Sequence, residues 1–258
     1  MKIIAGNCVL EDRQISDDTA QFLNSMSKKH KFELIYKSSW CKDNRSDATY
    51  FTGPDVPESV EIFKELKEKY RFKILTDVHN SWALAHDIFH KYVDVYQIPA
   101  YLCMQTSLTN AVADYCYAHK KQINIKKGQF LHPEDVINII RKIVIRHDFN
   151  PDDIWITERG TCFGYRDLVV DPRSLQILKE FGYPVYLDVG HSVRKYGIPS
   201  CMKDGGNKEF VNTLGKVALA LDCNIFVEVH PNPEEAKCDS ATQLSFEEFE
   251  SFIEDIKL

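Results

Sequence analysis

The sequence lacks the long hydrophobic runs and basic clusters that mark membrane and nucleic-acid-binding proteins. Residues 1–6 are too short an apolar run for a signal peptide, and no later segment approaches the length of a transmembrane span. The formal net charge of −6 argues against a general nucleic-acid binder, and no Lys/Arg run indicates a membrane-surface patch. We therefore expect a cytoplasmic protein with neither a membrane nor a nucleic acid among its partners.

Several short motifs are also missing. The eight cysteines contain no CxxC pair, in a chain of 258 residues that is long enough to form its own core. Reduced thiols are therefore the expected state. The sequence has no GxSxG, no P-loop and no HExxH motif, so nothing indicates a hydrolase built on those arrangements.

What the sequence does contain is a regular alternation of two kinds of segment. Eight short apolar runs have the length and composition of buried strands. They are Lys2–Ala5, Phe32–Tyr36, Phe72–Leu75, Val93–Gln97, Gln122–Ile125, Asp153–Ile156, Pro184–Leu187 and Asn224–Val227. Between and after them lie segments with helical spacing: Asp18–His30, Pro57–Tyr70, Trp82–Lys91, Thr106–His119, Pro133–Arg146, Arg173–Phe181, Asn207–Leu221 and Ser245–Lys257.

This alternation predicts parallel strand pairing with right-handed crossovers. Eight strand–helix units over residues 1–258 predict an α/β fold, a single-domain (β/α)8 TIM barrel. A doubly wound open sheet is the main alternative. That fold usually has a glycine-rich first turn, and here the turn reads Ala-Gly-Asn-Cys at residues 5–8.

The residues at the ends of the predicted strands support the barrel. In such a barrel the loops at the carboxyl ends of the strands form the active face. All eight strands end in groups that can bind a phosphate, a proton or a metal. These are Cys8, Lys37, Asp77 with His79, Gln97, Lys126, Glu158 with Arg159, Asp188 with His191, and Glu228 with His230.

Two sets of these residues indicate a chemistry. The first is cationic and suits phosphate or carboxylate groups: Lys37, Lys42, Arg45, Lys126 and Arg159. The second is Cys8, His191, Glu228 and Asp239, which barrel closure would bring together because the last strand lies beside the first. A thiolate, an imidazole and two carboxylates are compatible with Zn(II), Fe(II) or Mn(II). The alternative for the first set is that its members are solvated loop cations. The alternative for Cys8 is an inert core thiol, which is the stronger interpretation on spacing alone.

At these positions the chain resembles 3-deoxy-D-manno-octulosonate 8-phosphate synthases, (β/α)8 enzymes that condense phosphoenolpyruvate with D-arabinose 5-phosphate. The matching stretches run from the first strand to the last helix: 5–11 (AGNCVLE), 37–46 (KSSWCKDNRS), 73–79 (KILTDVH), 97–100, 105–106, 124–130 (NIKKGQF), 157–171 (TERGTCFGYRDLVVD), 188–193 (DVGHSV), 203–206 and 228–244. The Asn-Arg-Ser element at 44–46 is similar to these synthases and unlike the related heptulosonate-phosphate synthases.

The resemblance implies a role for each matching residue. Lys42, Lys126 and Arg159 would hold the phosphate and carboxylate of phosphoenolpyruvate, with Lys37, Gln97 and Gln105 in the same pocket. Asn44 and Asp77 would lie along the sugar, and Arg45 and Ser46 would take its phosphate across a subunit boundary. Lys42, Lys126, Asn44, His191 and Asp239 would be the catalytic residues. The resemblance also implies that the protein is a homotetramer and that its product is used in lipopolysaccharide biosynthesis.

The family has metal-dependent members, which carry Cys before Val-Leu-Glu, and metal-independent members, which carry Asn there. Cys8 occupies this position, so the resemblance implies the metal-dependent branch. We therefore expect one divalent metal ion on Cys8, His191, Glu228 and Asp239. Cys238 is a mixed feature, because a Cys at that position is common in the metal-independent branch.

The chain departs from the family pattern near the expected sugar-phosphate site. Asp43 and Asp47 add negative charge there, and Thr52 and Met104 stand where arginines are usual. Asn80 replaces a Glu. These departures leave two alternatives open: a phosphoenolpyruvate-dependent enzyme for another aldose, and a catalytically degenerate barrel with a binding role.

Overall fold

A computed structural model of the chain describes residues 1–85, 87–163 and 166–256. Its eight strands form one closed barrel in the order β1 to β8, and every neighbouring pair, including β1 with β8, is parallel. The predicted (β/α)8 barrel is therefore confirmed. The strands are β1 Lys2–Gly6, β2 Glu33–Lys37, β3 Lys73–Asp77, β4 Val95–Ile98, β5 Gln122–Lys126, β6 Ile154–Glu158, β7 Val185–Asp188 and β8 Asn224–Glu228.

Seven α-helices in the described part of the chain cover the outside of the barrel. They are α1 Arg13–His30, α2 Val56–Tyr70, α3 Thr106–His119, α4 Val136–Val144, α5 Pro172–Glu180, α6 Val211–Ala220 and α7 Phe246–Asp255. Most begin at a residue whose side chain can satisfy free backbone N–H groups. Asp12, Asp55 and Ser245 cap α1, α2 and α7 in this way.

The segment Trp82–Lys91, for which we predicted helical spacing, does not form an α-helix. The described part of it forms two short 3-10 helices, Ser81–Ala85 and Asp87–Lys91. Length is not the cause, since α4 and α5 have nine residues each; at this length tertiary packing, which apolar spacing does not report, decides between an α-helix and 3-10 turns. Residue 257, at the end of the last predicted helix, lies outside the described residues.

The barrel interior is filled and positions the site. One cluster of buried residues forms its interior layer: Ile4, Ile35, Leu75, Val95, Trp155, Tyr186 and Phe226. The larger core lies between the strands and the helices. Because side chains alternate along a strand, the residue two positions after each interior residue also points inward, one layer nearer the carboxyl end. No described helix is long and apolar enough to cross a membrane.

Candidate active site

The charged strand-end residues form the next inward layer of the barrel. Lys37 lies two residues after Ile35, Asp77 two after Leu75, and Gln97 two after Val95. Asp188 and Glu228 follow the interior residues Tyr186 and Phe226 in the same way, and Lys126 follows Asn124. The period of two therefore turns six polar side chains into one space above the packed interior.

The deepest of these charges are paired. The Nζ of Lys37 lies 2.8 Å from Oε1 of Glu228, and the Nζ of Lys126 lies 2.6 Å from Oδ2 of Asp188. Lys126 also lies 4.0 Å from the centre of the Phe226 ring, which forms the floor of the site. All four charged side chains are buried, and burying charges costs several kcal/mol per ion unless they are paired. Such groups in a barrel mouth indicate a functional site more than a stabilising one.

A cavity of about 320 Å³ opens above these pairs. Six cationic residues line it: Lys37, Lys42, Lys126, Arg159, Arg194 and Lys195. Asp77 is the one acidic residue among its described lining residues, which also include Asn44, His79, Gln97, Tyr101 and His191. This excess of positive charge suits an anionic ligand with more than one charge.

Burial and neighbouring charges shift the pKa values of these cations in different directions. Burial lowers the pKa of Lys126 and of Arg159, and the attraction of Asp188 offsets only part of that effect. Burial also acts to lower the pKa of Lys42, but the attraction of surrounding groups, Cys8 and Asp77 foremost, raises it above the ordinary value. The cavity thus gathers cations that a bound anion would stabilise.

The four predicted metal-binding residues form two groups that share Asp239, one with Cys8 and one with His191 and Glu228, and His191 lines this cavity. The Nε2 of His191 is 3.6 Å from Oε2 of Glu228 and 3.8 Å from Oδ2 of Asp239. The Sγ of Cys8 is 3.0 Å from the same Oδ2 of Asp239. All four are buried.

The loop after β8 brings Asp239 to Cys8 through one amide side chain. Gln243 accepts a hydrogen bond from the backbone N–H of Cys8 (3.0 Å) and donates one to the carbonyl oxygen of Cys238 (2.8 Å). Asp239 has a left-handed backbone (φ 48°), a conformation that Asp tolerates better than most residues. This turn places the carboxylate of Asp239 against the thiol of Cys8.

His191, Glu228 and Asp239 fit a divalent metal, and Cys8 adjoins this group through Asp239. Metal bonds of 2.0–2.3 Å at tetrahedral angles would separate donor atoms by about 3.3–3.8 Å, which matches the spacing around His191. The Oε2 atom of Glu228 is buried without a hydrogen-bond partner, as expected for a ligand atom. The Nδ1 of His191 lies 2.8 Å from Oδ2 of Asp188, the kind of carboxylate contact that orients metal-binding histidines.

Some residues of the site were missed as functional candidates. Asp188, recognised only as a strand-end group, orients His191, and its period-two position after Tyr186 could have revealed it. Cys238 lies with its Sγ 3.3 Å from Oδ2 of Asp239, so a second thiol adjoins the group. Arg194 lines the cavity from the loop after β7, and no strand-end pattern indicated it.

Two further cavity residues, His79 and Tyr101, form a chain with Asp77. The Nε2 of His79 lies 2.7 Å from Oδ2 of Asp77, and its Nδ1 lies 2.8 Å from the hydroxyl of Tyr101. Burial acts to raise the pKa of Asp77, but His79 and Lys42 outweigh it and hold that pKa well below the ordinary value. The other carboxylate oxygen of Asp77, Oδ1, is buried without a hydrogen-bond partner. An ionised carboxylate with a free oxygen suits a hydroxyl-bearing ligand.

Three of the predicted substrate residues do not line the cavity of a single chain. Gln105 is exposed at the start of α3, and Ser46 is exposed in the loop after β2. Arg45 contacts the Sγ of Cys238 and donates a hydrogen bond (3.0 Å) to the carbonyl oxygen of Lys237. His230, which follows the eighth strand, lies 3.5 Å from Glu11 and outside the metal-type group.

The residues that depart from the family pattern also lie outside the cavity lining. The side chain of Asp47 accepts hydrogen bonds from the backbone and hydroxyl of Thr49, within its own turn. Asp43, Thr52 and Met104 are exposed. Their charge and size therefore act on the surroundings of the cavity more than on its walls.

Comparison with known proteins shows similarity over the whole chain. A sequence model of the DAHP synthetase I family matches residues 1–257. Three curated relatives carry the name 2-dehydro-3-deoxyphosphooctonate aldolase. The protein of Fusobacterium nucleatum subsp. nucleatum is 39% identical over 252 residues, covering 97% of this chain and 87% of its own. The proteins of Caulobacter vibrioides and Protochlamydia amoebophila are 41% identical over 255 residues (98% and 85% covered) and 38% identical over 256 residues (99% and 90% covered).

Proposed function

The chain belongs to the DAHP synthetase I family, and from that membership we propose that it condenses phosphoenolpyruvate with D-arabinose 5-phosphate and water. The products are 3-deoxy-D-manno-octulosonate 8-phosphate and inorganic phosphate. The names of the full-length relatives support this reaction. The observation that carries it is the cavity at the carboxyl ends of the strands, with six cationic residues and one acid in its lining.

The cavity suits the charge of phosphoenolpyruvate. Lys126 and Arg159 rise from β5 and the end of β6, and Lys42 comes from the loop after β2, so positive charge meets the ligand from separate directions. In the reaction, the alkene carbon forms a bond to the aldehyde carbon of the sugar, whose oxygen takes a proton, and the oxygen of water adds at the carbon that bears the phosphate. The C–O bond to the phosphate then breaks. Fixed cations stabilise the negative charge through these steps without reorganising.

The sugar would lie on the side of the cavity formed by Asn44 and Asp77. Asn44 is exposed at its rim, and the free oxygen of Asp77 can accept a hydrogen bond from a sugar hydroxyl. Arg45 and Ser46 remain the proposed ligands of the sugar phosphate. Because they do not line the cavity of one chain, this assignment fits a homotetramer in which subunit boundaries lie near the sites.

We propose further that Cys8, His191, Glu228 and Asp239 hold one divalent metal ion, Zn(II), Fe(II) or Mn(II). The spacing around His191 and the unpartnered oxygen of Glu228 support this ligand set. A bound ion would supply Lewis acidity near the reacting atoms. The contact of Asp188 with the Nδ1 of His191 (2.8 Å) would leave Nε2 for the ion. The cytoplasmic location also remains a prediction, which the eight unpaired cysteines support.

Product formation from phosphoenolpyruvate tests the proposal. The assay compares arabinose 5-phosphate with erythrose 4-phosphate and ribose 5-phosphate, each with and without a chelator. We expect turnover with arabinose 5-phosphate alone, lost on chelation and restored by added metal. Turnover that survives complete metal removal would support the proposed reaction and contradict the proposed need for a metal ion. Turnover with another of the three aldoses alone would reassign the sugar, and no turnover with any of them, metal supplied, would contradict the proposed reaction.

A further inference from the structure

Arg194 lines the cavity although the proposed function assigns it no role. It lies six residues beyond the end of β7 and directly after the short 3-10 helix His191–Val193. Its side chain is 26% exposed, so it is neither packed into the core nor freely solvated. A guanidinium in this position at a cationic cavity calls for a physical explanation.

The backbone holds Arg194 firmly at the base of its loop. Arg194 forms an isolated antiparallel bridge with Gly206, and the N–H of Asn207 donates to the carbonyl oxygen of Val193 (2.9 Å). Gly206 in turn lies so close to the loop after β8 that an added Cβ would be 2.7 Å from the carbonyl oxygen of Ala241. The position of Arg194 is therefore set before any ligand binds, which lowers the entropy lost on binding.

The side chain of Arg194 has weak partners. Its Nη1 lies 3.5 Å from Oδ1 of Asp239, and its Nη2 lies 3.3 Å from the carbonyl oxygen of Ile198. Both distances are long for hydrogen bonds of a guanidinium, which are strongest at about 2.7–2.9 Å. An arginine has five N–H donors, so these contacts leave several for a ligand.

Arg159 lines the same cavity and is also incompletely satisfied. Its Nη2 donates a long hydrogen bond (3.4 Å) to the carbonyl oxygen of His191, and its Nε is buried without a hydrogen-bond partner. Both guanidiniums line the same cavity and have donors that no close partner uses, so one anion in the cavity could accept hydrogen bonds from both.

We propose that Arg194 and Arg159 together bind one phosphomonoester group, that of phosphoenolpyruvate. The planar guanidinium matches two phosphate oxygens at once, which a lysine cannot do. Arg159 comes from β6 and Arg194 from the loop after β7, so the phosphate would be held between neighbouring units of the barrel. This inference rests on the proposed function for the identity of the ligand. The phosphate of the aldose has the same chemistry, and the kinetic arms below distinguish the two.

The test compares three variants of the metal-loaded protein. Arg194→Gln removes both the positive charge and the paired N–H donors of the guanidinium. Arg194→Lys keeps the charge without the paired donors, and Lys203→Gln is the matched control. Lys203 lies in the same loop, is 68% exposed and pairs with Glu234 (2.7 Å), away from the cavity lining. Metal content is measured in each variant, because Arg194 also contacts Asp239.

In steady-state kinetics we expect Arg194→Gln to raise the KM for phosphoenolpyruvate by about tenfold or more, the effect of losing a hydrogen bond to a charged group. Arg194→Lys should recover part of this loss, and Lys203→Gln should match the unmodified protein. A rise confined to the KM of the aldose phosphate would assign the phosphate to that substrate. Unchanged KM values for both substrates in Arg194→Gln would overturn the proposal.

A binding measurement that needs no turnover separates this inference from the proposed reaction. Inorganic phosphate is titrated while the thermal unfolding midpoint of the metal-loaded protein is recorded, since a ligand that binds the folded state raises Tm. We expect the phosphate-dependent rise to be lost or strongly reduced in Arg194→Gln and retained in Lys203→Gln. An equal rise in all variants would show that Arg194 does not contact phosphate, even if the reaction is confirmed. A merely structural role would lower Tm equally with and without phosphate, and would also overturn the proposal.

Discussion

Buried charges in this protein are placed opposite one another across the barrel mouth. Lys37 of β2 faces Glu228 of β8, and Lys126 of β5 faces Asp188 of β7. Each pair joins two strands that have one other strand between them in the barrel. Because all four side chains are buried, removing one partner would leave the other as an unpaired buried charge. A substitution at one of these residues would therefore change the charge of the cavity and leave the paired residue without its counter-ion.

The thiol of Cys8 is the residue on which the metal proposal can be tested most directly. Cys8→Asn should lower metal content and leave partial activity that no longer depends on metal, if the two branches of the family differ mainly at this ligand. Burial raises the pKa of the Cys8 thiol, with Cys238 adding to the effect, so a metal is what would stabilise its thiolate. Metal analysis and activity after chelation measure the outcome.

A cysteine far from the site provides the control for that change. Cys223 precedes β8 at the other end of the strand, and Cys223→Ala should keep both metal content and its chelator sensitivity. Complete inactivity of Cys8→Asn that no metal rescues would contradict a simple switch at this position.

Asp77 should give the protein part of its acid sensitivity. Its pKa in the folded state is held below the value of about 3.9 for an unfolded chain, so its stabilising effect is complete above about pH 5 and is lost as the pH falls toward the folded pKa. Asp77→Asn should lower the free energy of unfolding at pH 7 by about 1–3 kcal/mol. The difference should shrink at pH 3.

Urea titrations from pH 7 to pH 3 measure this effect. Asp148→Asn is the control, because Asp148 is an exposed residue of the segment between α4 and β6, away from the cavity lining. An Asp77→Asn protein whose stability falls with acid as steeply as that of the unmodified protein would contradict the assignment.

Arg45 tests the aldose half of the proposed site. Arg45→Ala should raise the KM for the phosphorylated aldose by about tenfold and change the KM for phosphoenolpyruvate by less than about twofold. Arg173→Ala, at a side chain that is 83% exposed, should change neither. Equal effects on both substrates would mean that Arg45, which lies against Cys238 and Lys237, acts on the loop and not on the sugar phosphate.

At the scale of elements, β1 lies in close contact with β2 where the site begins. Gly6 ends β1 beside Glu228 of β8, and an added Cβ there would lie 2.1 Å from the carbonyl oxygen of Lys37. Backbone atoms at this distance cannot move aside without shifting β2. The junction of β1, β2 and β8 therefore depends on the absence of a side chain at residue 6.

Gly6→Ala should destabilise the protein by about 2 kcal/mol or more and reduce activity, because the clash displaces Lys37 and Glu228 together. Urea unfolding and steady-state rates measure the change. Gly182→Ala is the control: its φ is +80°, and an added Cβ would meet no described atom within 4 Å. It should cost about 1 kcal/mol from backbone strain and leave the rate unchanged. If the two variants are equally stable and active, close packing at Gly6 has no role.

The elements also show why some sequence predictions held. The strand runs were confirmed, each within one or two residues at its ends, because a short continuous apolar run is a local property of the sequence. The prediction of a helix over Trp82–Lys91 was wrong. Spacing alone does not report whether a short segment has enough packing to support a helix: the predicted α5, which is no longer than Trp82–Lys91, did form.

At the scale of the whole molecule, we expect four chains to assemble into a homotetramer. Sedimentation equilibrium should give about four times the mass of one chain if the protein is a homotetramer. Arg45, Ser46 and Gln105 lie outside the cavity of one chain, which is the physical reason to expect subunit boundaries near it. A monomer at the concentrations used for assay, with full activity, would contradict this expectation and leave these three residues without a role in the site.

The sequence by itself determined the barrel and the residues that face its mouth. Closure of β8 onto β1 suffices to place Cys8 near Glu228, because it follows from strand order, whereas Asp239 reaches Cys8 only through the loop after β8 that Gln243 holds. Only the tertiary structure decided where the loops go. Arg194 lies at the cavity beside Gly206, which packs against the loop after β8, and Arg45 contacts Cys238 and does not line the cavity. Loop positions depend on contacts between residues far apart in sequence, which no local pattern records.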